Sequence, residues 1–215
     1  NLATRPTHVK ELVPGDDHYT GYCDACAAGA GGVWLGGDVN LRPIVWRVQF
    51  SYSITSQVVS DANPRGRLTN SDLEMAAVLL HYMVLEQAVD LRYIRTGVWS
   101  DNTPTVAWTK RMADHSQAPT AGRLLRGLAA FQRAVQAGPL TIGSIPGKDN
   151  DMADVASRSF DITCDTAFLT LFNTRFPLPQ QQSWRLVHLT PAKTSLVTST
   201  LDGKRLQLQQ WMTVP

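Results

Sequence analysis

The chain has 215 residues, of which 43% are hydrophobic, 18% charged and 8% aromatic, with a formal net charge of +2. That balance excludes disordered and fibrous compositions, and no apolar run approaches the roughly 20 residues that a membrane-spanning helix needs. The first residues lack the apolar stretch of a signal peptide and three cysteines are too few for a disulfide framework, so a soluble, intracellular protein without a membrane partner is expected.

Three β-like runs come first, at Tyr19–Asp24, Gly32–Leu35 and Ile44–Phe50, with Gly36-Gly37 and Asp38–Pro43 marking one hairpin connection. After a polar stretch, a helix is predicted from Asp72 to about Gln87. It is apolar on almost every face (Leu73, Met75, Val78, Leu79, Leu80, Tyr82, Met83, Val84, Leu85), which implies a central, buried element. A short strand follows at Gly97–Asp101. Thr103-Pro104 then reads as an N-cap with proline at the first helical position, opening a helix to about Met112. Leu124, Leu125, Leu128, Phe131 and Val135 keep a 3.6-residue period over Ala121–Ala137. Gly138-Pro139 ends that helix, a fifth strand spans Leu140–Ile145, and a helix covers Asp151–Arg158. The order βββαβααβα predicts an α/β fold with a five-stranded mixed sheet and helices on both faces. Residues 161–215, rich in Thr, Gln and Leu, read as a C-terminal extension or linker, with a helix starting at Thr190-Pro191 and carrying Leu196 and Leu201. Residues 1–18 read as a connecting segment and 19–160 as the domain.

Between Lys110 and Arg133 the cations Lys110, Arg111, Arg123, Arg126 and Arg133 face only Asp114, a candidate phosphate-binding patch or a solvated helix surface. Cys23 and Cys26 form a CxxC without the second pair that a zinc site needs. The acids carry more information. Asp24 ends the first strand, Glu74 opens the buried helix, Asp101 ends the fourth strand and Asp154 lies in the helix after the fifth. Delivered to one sheet edge, they would form a cluster whose mutual repulsion calls for divalent cations. Oxygen-only ligands select hard ions such as Mg²⁺ or Mn²⁺, and a pair of these can clamp an in-line phosphoryl displacement. Each acid also has a purely structural reading. Asp24 can be a turn former, Glu74 can close a capping box with Ser71, Asp101-Asn102 can cap the next helix, and Asp154 can pair with Arg158 at the i, i+4 spacing.

Taken together, four stretches resemble the ribonuclease H superfamily, and within it the ribonuclease H domains of retrotransposon reverse transcriptases. Tyr22-Cys23-Asp24-Ala25-Cys26 with the following Gly29-Ala30-Gly31-Gly32-Val33-Trp34 is similar to the family's first-strand aspartate and glycine-rich hairpin. Thr69-Asn70-Ser71-Asp72-Leu73-Glu74 resembles its helix start, and Ser100-Asp101-Asn102 its fourth-strand motif. Ile145-Pro146-Gly147-Lys148-Asp149-Asn150-Asp151-Met152-Ala153-Asp154-Val155-Ala156-Ser157-Arg158 resembles the retrotransposon ending Pro-Gly-x-x-Asn-x-x-Ala-Asp-x-x-Ser-Arg. The match covers Tyr19 to Arg158.

The resemblance implies a ribonuclease H-like fold in which Asp24, Glu74, Asp101 and Asp154 hold two Mg²⁺ or Mn²⁺ ions. It implies hydrolysis of the RNA strand of an RNA–DNA hybrid to 5′-phosphate and 3′-hydroxyl ends, with the polymerase domain of the same polyprotein as a partner. Asn70 would touch the hybrid in its minor groove, or cap the helix, while Lys110, Arg111, Arg123 and Arg126 occupy the place of a substrate-gripping protrusion. The family histidine that precedes the last acid is missing between Gly138 and Asp154, and His115 reads as a loop or surface residue. The alternatives are an inactive nucleic-acid-binding or structural module and a DNA-cutting relative with the same fold.

Overall fold

The computed structural model describes residues 17–36, 42–112, 119–179 and 182–204. The readings of Asp38, Asp114 and His115, and of most of the segment 1–18, lie outside them. The elements in chain order are β1 (Tyr19–Cys26), β2 (Gly29–Gly36), β3 (Ile44–Gln49), the one-turn α1 (Tyr52–Thr55), α2 (Asn70–Ala88), β4 (Thr96–Ser100), α3 (Thr103–Arg111), α4 (Pro119–Ala134), β5 (Leu140–Ser144), α5 (Asp151–Arg158), α6 (Asp165–Arg175), β6 (Arg185–Leu186) and α7 (Pro191–Leu201). They build one mixed sheet in the order β5-β4-β1-β2-β3-β6. The first three strands form an antiparallel meander, while β4 joins β1 and β5 joins β4 in parallel. Up to Arg158, apart from the one-turn α1, the elements follow the order expected from the sequence, with helices on both faces of the sheet.

Two details correct the sequence reading. The sheet has six strands rather than five, because β6 pairs in parallel with β3, Ile44 opposite Arg185 and Val45 opposite Leu186. Strand β1 runs on to Cys26, so Asp24 lies inside it and not at its end.

Strand alternation sorts the sheet's side chains into two cores. Trp34, Ile44, Trp46 and Val48 face α2, α4 and α7, where Leu124, Leu128, Phe131, Val197 and Leu201 close the larger cluster. Val33 and Val45 face the other way onto Val155, Ala156, Phe168, Phe172 and Trp184 from α5, α6 and the segment before β6. Helix α2 is buried from Asp72 to Leu85, as its apolar faces predict. No helix among the described residues is long and apolar enough to cross a membrane.

One polar group sits at the centre. His81 of α2 is fully buried and stacks on Trp34, with ring centroids 3.9 Å apart and planes within 7°. The Trp46 indole N–H donates to its Nδ1 at 2.8 Å, and the Trp34 indole N–H donates to its backbone carbonyl at 2.8 Å. Burial holds the imidazole well below its ordinary 6.5, in the neutral state that the Trp46 bond requires. The unfolded chain therefore takes up a proton that the folded chain refuses, and His81 removes stability as pH falls through about 6.5. The expected result in a proton NMR titration is no change in the His81 ring signals between pH 8 and 5; a titration in that range would contradict the buried neutral assignment.

Candidate active site

The site is assembled where α2, α5 and the β4–α3 junction meet the middle of β1. Helix α2 begins at Thr69, whose side chain accepts from the Asp72 N–H while the Asp72 carboxylate accepts from the Thr69 N–H at 2.8 Å. The capping box is thus Thr69 with Asp72 and not Ser71 with Glu74. Ala121 N–H of α4 donates to the other Asp72 oxygen at 2.9 Å, so the same residue anchors two helices. Glu74 is released from any capping role and projects toward β1.

The second support is the approach of α5 to β2. Gly31 lies directly opposite Asp24 in the β1–β2 register. A side-chain carbon at Gly31 would fall 2.4 Å from the Ala156 carbonyl carbon, so only glycine lets the helix backbone rest on the strand there. That contact carries Ser157 over the strand pair, where its hydroxyl donates to Asp24 Oδ2 and to the Asp154 carbonyl. Asn150, buried just before α5, donates to the Cys23 carbonyl at 3.1 Å and fixes the helix start to β1. Cys26 completes the seam with a thiol bond to the Ser157 carbonyl at 3.2 Å.

These constraints bring Asp24, Glu74 and Asp101 together, with one carboxylate oxygen of each within 4.8 Å of the others. Asp24 and Glu74 are 4% and 2% exposed, whereas Asp101 stands at the open side. Burial, reinforced by Asp101 and Asp154 against the Ser157 bond and Arg158, pushes the Asp24 carboxyl up to about 6. Burial and the charges of Asp24 and Asp101 push Glu74 well above the usual carboxylate range, against bonds from the Ala25 backbone and Asn70. The arrangement is costly as it stands and becomes favourable once cations enter.

Asp154 is not brought into the three-acid group. It shares α5 with Ser157 and its charge is felt at Asp24, but its carboxylate pairs with Arg158, the i, i+4 contact anticipated from the sequence. Asn70 does not cap α2; its amide donates to Glu74 Oε1 at 3.4 Å. Helix α3 is capped by Asn102, which accepts from the Thr105 N–H, one residue before the Thr103 expected. Lys110 and Arg111 are exposed at the far end of α3, about 12 Å of helix rise from that cap. Arg126 is exposed on α4, and the partly buried Arg123 donates to Thr120 at 3.1 Å. The three cysteines are free, and none joins an acid cluster among the described residues. Ser157, Asn150 and Gly31 were missed by sequence reasoning, although Ser157 and Asn150 sit inside the last quoted motif.

No family model and no curated protein matches the chain. Among solved structures it is similar to LC11-RNase H1, isolated from compost by a metagenomic approach. That match has a TM-score of 0.42 and 19% identity, covering 65% of this chain and 91% of the other. LC11-RNase H1 in complex with an RNA/DNA hybrid gives a TM-score of 0.45 at 18% identity, over 64% and 92% of the two chains.

Proposed function

We propose that the chain is a two-metal endonuclease that hydrolyses the RNA strand of RNA–DNA hybrids, and that it acts within a retrotransposon reverse transcriptase polyprotein beside the polymerase domain. The observation that carries the proposal is the convergence of Asp24, Glu74 and Asp101 from β1, α2 and the end of β4. Their fit to Mg²⁺ or Mn²⁺ rests on an all-oxygen donor set and on Glu74 Oε2, a buried atom without a hydrogen-bond partner. Bound ions would supply charge stabilisation to the scissile phosphate and the departing 3′ oxygen.

The protein's own groups divide the remaining work. Asp24, Glu74 and Asp101 hold the cations, and Asp154 adds negative charge from the adjacent helix. Ser157 fixes the orientation of Asp24, and Asn70 that of Glu74. Asn70 also stands at the helix start where a minor-groove 2′-hydroxyl can be read. Lys110, Arg111, Arg123 and Arg126 offer phosphate contacts. The choice of hybrid and the polyprotein setting rest on the motif resemblance of residues 145–158.

The test is cleavage by purified protein with Mg²⁺ or Mn²⁺ of matched RNA–DNA hybrid, duplex DNA and duplex RNA. Cutting confined to the RNA of the hybrid is expected. An uncut hybrid under conditions where a known ribonuclease H acts would overturn the enzyme reading, and retained binding would then favour the inactive module. Ser157→Ala, which frees Asp24 from its only side-chain donor on α5, is expected to lower Mn²⁺ affinity by roughly 10–100-fold, the usual cost of losing a residue that orients a ligand. Isothermal titration checks it, and unchanged affinity would remove Ser157 from the site.

A further inference from the structure

The strand that leads to Asp101 carries an exposed aromatic two residues before it. Side chains alternate along a strand, so Trp99 points away from Val98, which is buried in the larger core beside α2. Trp99 is 37% exposed, whereas Trp34, Trp46 and Trp184 are buried. Its seat is Gly143, its partner across β4 and β5. A side-chain carbon at position 143 would lie 2.3 to 2.8 Å from three carbons of the indole ring, so the ring rests on bare strand backbone. About a third of the residue is left to solvent. Tyr22, opposite Trp99 on β1, extends the same face toward Asp24 two residues further along.

A cation lies on the turn beside Asp101. A side-chain carbon at Gly147 would come within 2.9 Å of Asp101 Oδ2, so the turn Gly147–Asp149 stands beside the carboxylates. Lys148 is exposed on that turn. An open aromatic face and a lysine, both within a residue or two of a group in contact with the site, match the two chemistries of a nucleotide: a base to stack and a phosphate to neutralise. Bases inside a duplex are stacked on each other and offer only their edges, so the occupant must be unpaired.

We propose that Trp99 and Lys148 form a subsite for a single-stranded nucleotide flanking the scissile position. The location rests on the hydrolytic reading above, while the test reads binding and needs no cleavage. Fluorescence anisotropy without divalent ions compares a blunt hybrid with hybrids carrying a short unpaired RNA overhang at the 5′ or the 3′ end. One of the two overhangs is expected to tighten binding about tenfold, within the range of one stacked base. Trp99→Ala should bring the ratio of overhang to blunt affinity to near one, and Trp99→Phe should retain most of it. Lys148→Gln should reduce the ratio and flatten its salt dependence. Equal binding of all three hybrids by the unsubstituted protein, or a full overhang preference in Trp99→Ala, would overturn the proposal. Failure of hybrid cleavage with the overhang preference intact would strike the hydrolytic reading alone.

Discussion

Asp24→Asn is expected to cut hybrid cleavage by about a thousandfold and at the same time to stabilise the metal-free protein. The two effects have one cause, a carboxylate held 4% exposed beside two others. Its rise from an ordinary 3.8 to about 6 means that ionised Asp24 costs the folded state about 3 kcal/mol at neutral pH. The amide is nearly isosteric, can still accept from Ser157 and carries no charge, so without ions the variant should melt higher by roughly 5–10 °C. The sign follows from proton uptake. Between about pH 4 and 6 folded Asp24 binds a proton that the unfolded chain has released, so the unsubstituted protein loses stability as pH rises through that window. The advantage of the variant should therefore vanish below pH 4 and be complete above pH 6. Cations reverse the balance: at 100 times its dissociation constant an ion stabilises the unsubstituted protein by about 2.7 kcal/mol, and the variant lacks that gain. Charge stabilisation by the ions is worth several kcal/mol in the transition state, so the rate should fall by on the order of 10³-fold. Calorimetry from pH 4 to 8 with and without Mn²⁺, alongside single-turnover cleavage, measures both effects. A variant that keeps a tenth of the activity, or melts lower than its parent without metal, would refute the assignment.

The acids are legible in the sequence because Glu74 and Asp101 stand beside a change of element, because Asp24 and Asp154 fall within short motifs that resemble one family, and because one of only three glutamates opens the most apolar helix. What orients them is not legible. Ser157 meets Asp24 across 133 positions and Asn150 meets Cys23 across 127, separations at which periodicity carries no information. The capping box illustrates the same limit. Thr69 with Asp72 and Ser71 with Glu74 satisfy one spacing rule equally well, and the choice falls to Asp72 because its second oxygen also binds Ala121 of a distant helix. Strand β6 has two residues, too few for alternation to register. Helix α6 does carry a signal in Phe168 and Phe172 at i, i+4, but Leu169 and Leu171 on other faces and the Thr and Asn between them blur its period. Helix α7 was readable from Thr190-Pro191, where Thr190 caps and proline opens the helix.

Ending the chain at Phe160 is expected to leave no stably folded protein, although the resemblance to ribonuclease H stops at Arg158. Residues 161–204 fill both faces of the sheet. Phe168, Phe172 and Trp184 cover Val33 and Val45, and Val197 and Leu201 close the core beside α2 and α4. Each is buried to 2% exposure or less and stabilises by on the order of 1.5–3 kcal/mol. Together they amount to about 10 kcal/mol, comparable with the whole stability of a domain of this size. Polar contacts fix the segment in register. Gln87 donates to the His188 carbonyl at 2.9 Å and accepts from the Thr190 N–H at 3.1 Å. The half-buried Glu86 pairs with Lys193, and Arg47 lies 4.1 Å over the Phe168 ring while donating to the Ser159 carbonyl at 2.7 Å. Truncation would strand the Arg47 guanidinium on an uncovered apolar face and expose Ile44 and Val45 along an unpaired strand edge, the form of surface that aggregates. Loss of dispersed amide NMR signals and of a cooperative melting transition is the expected readout. A truncated chain that melts cooperatively within a few degrees of the full one would show that residues 161–204 are a docked accessory, and that the five strands up to Arg158 suffice.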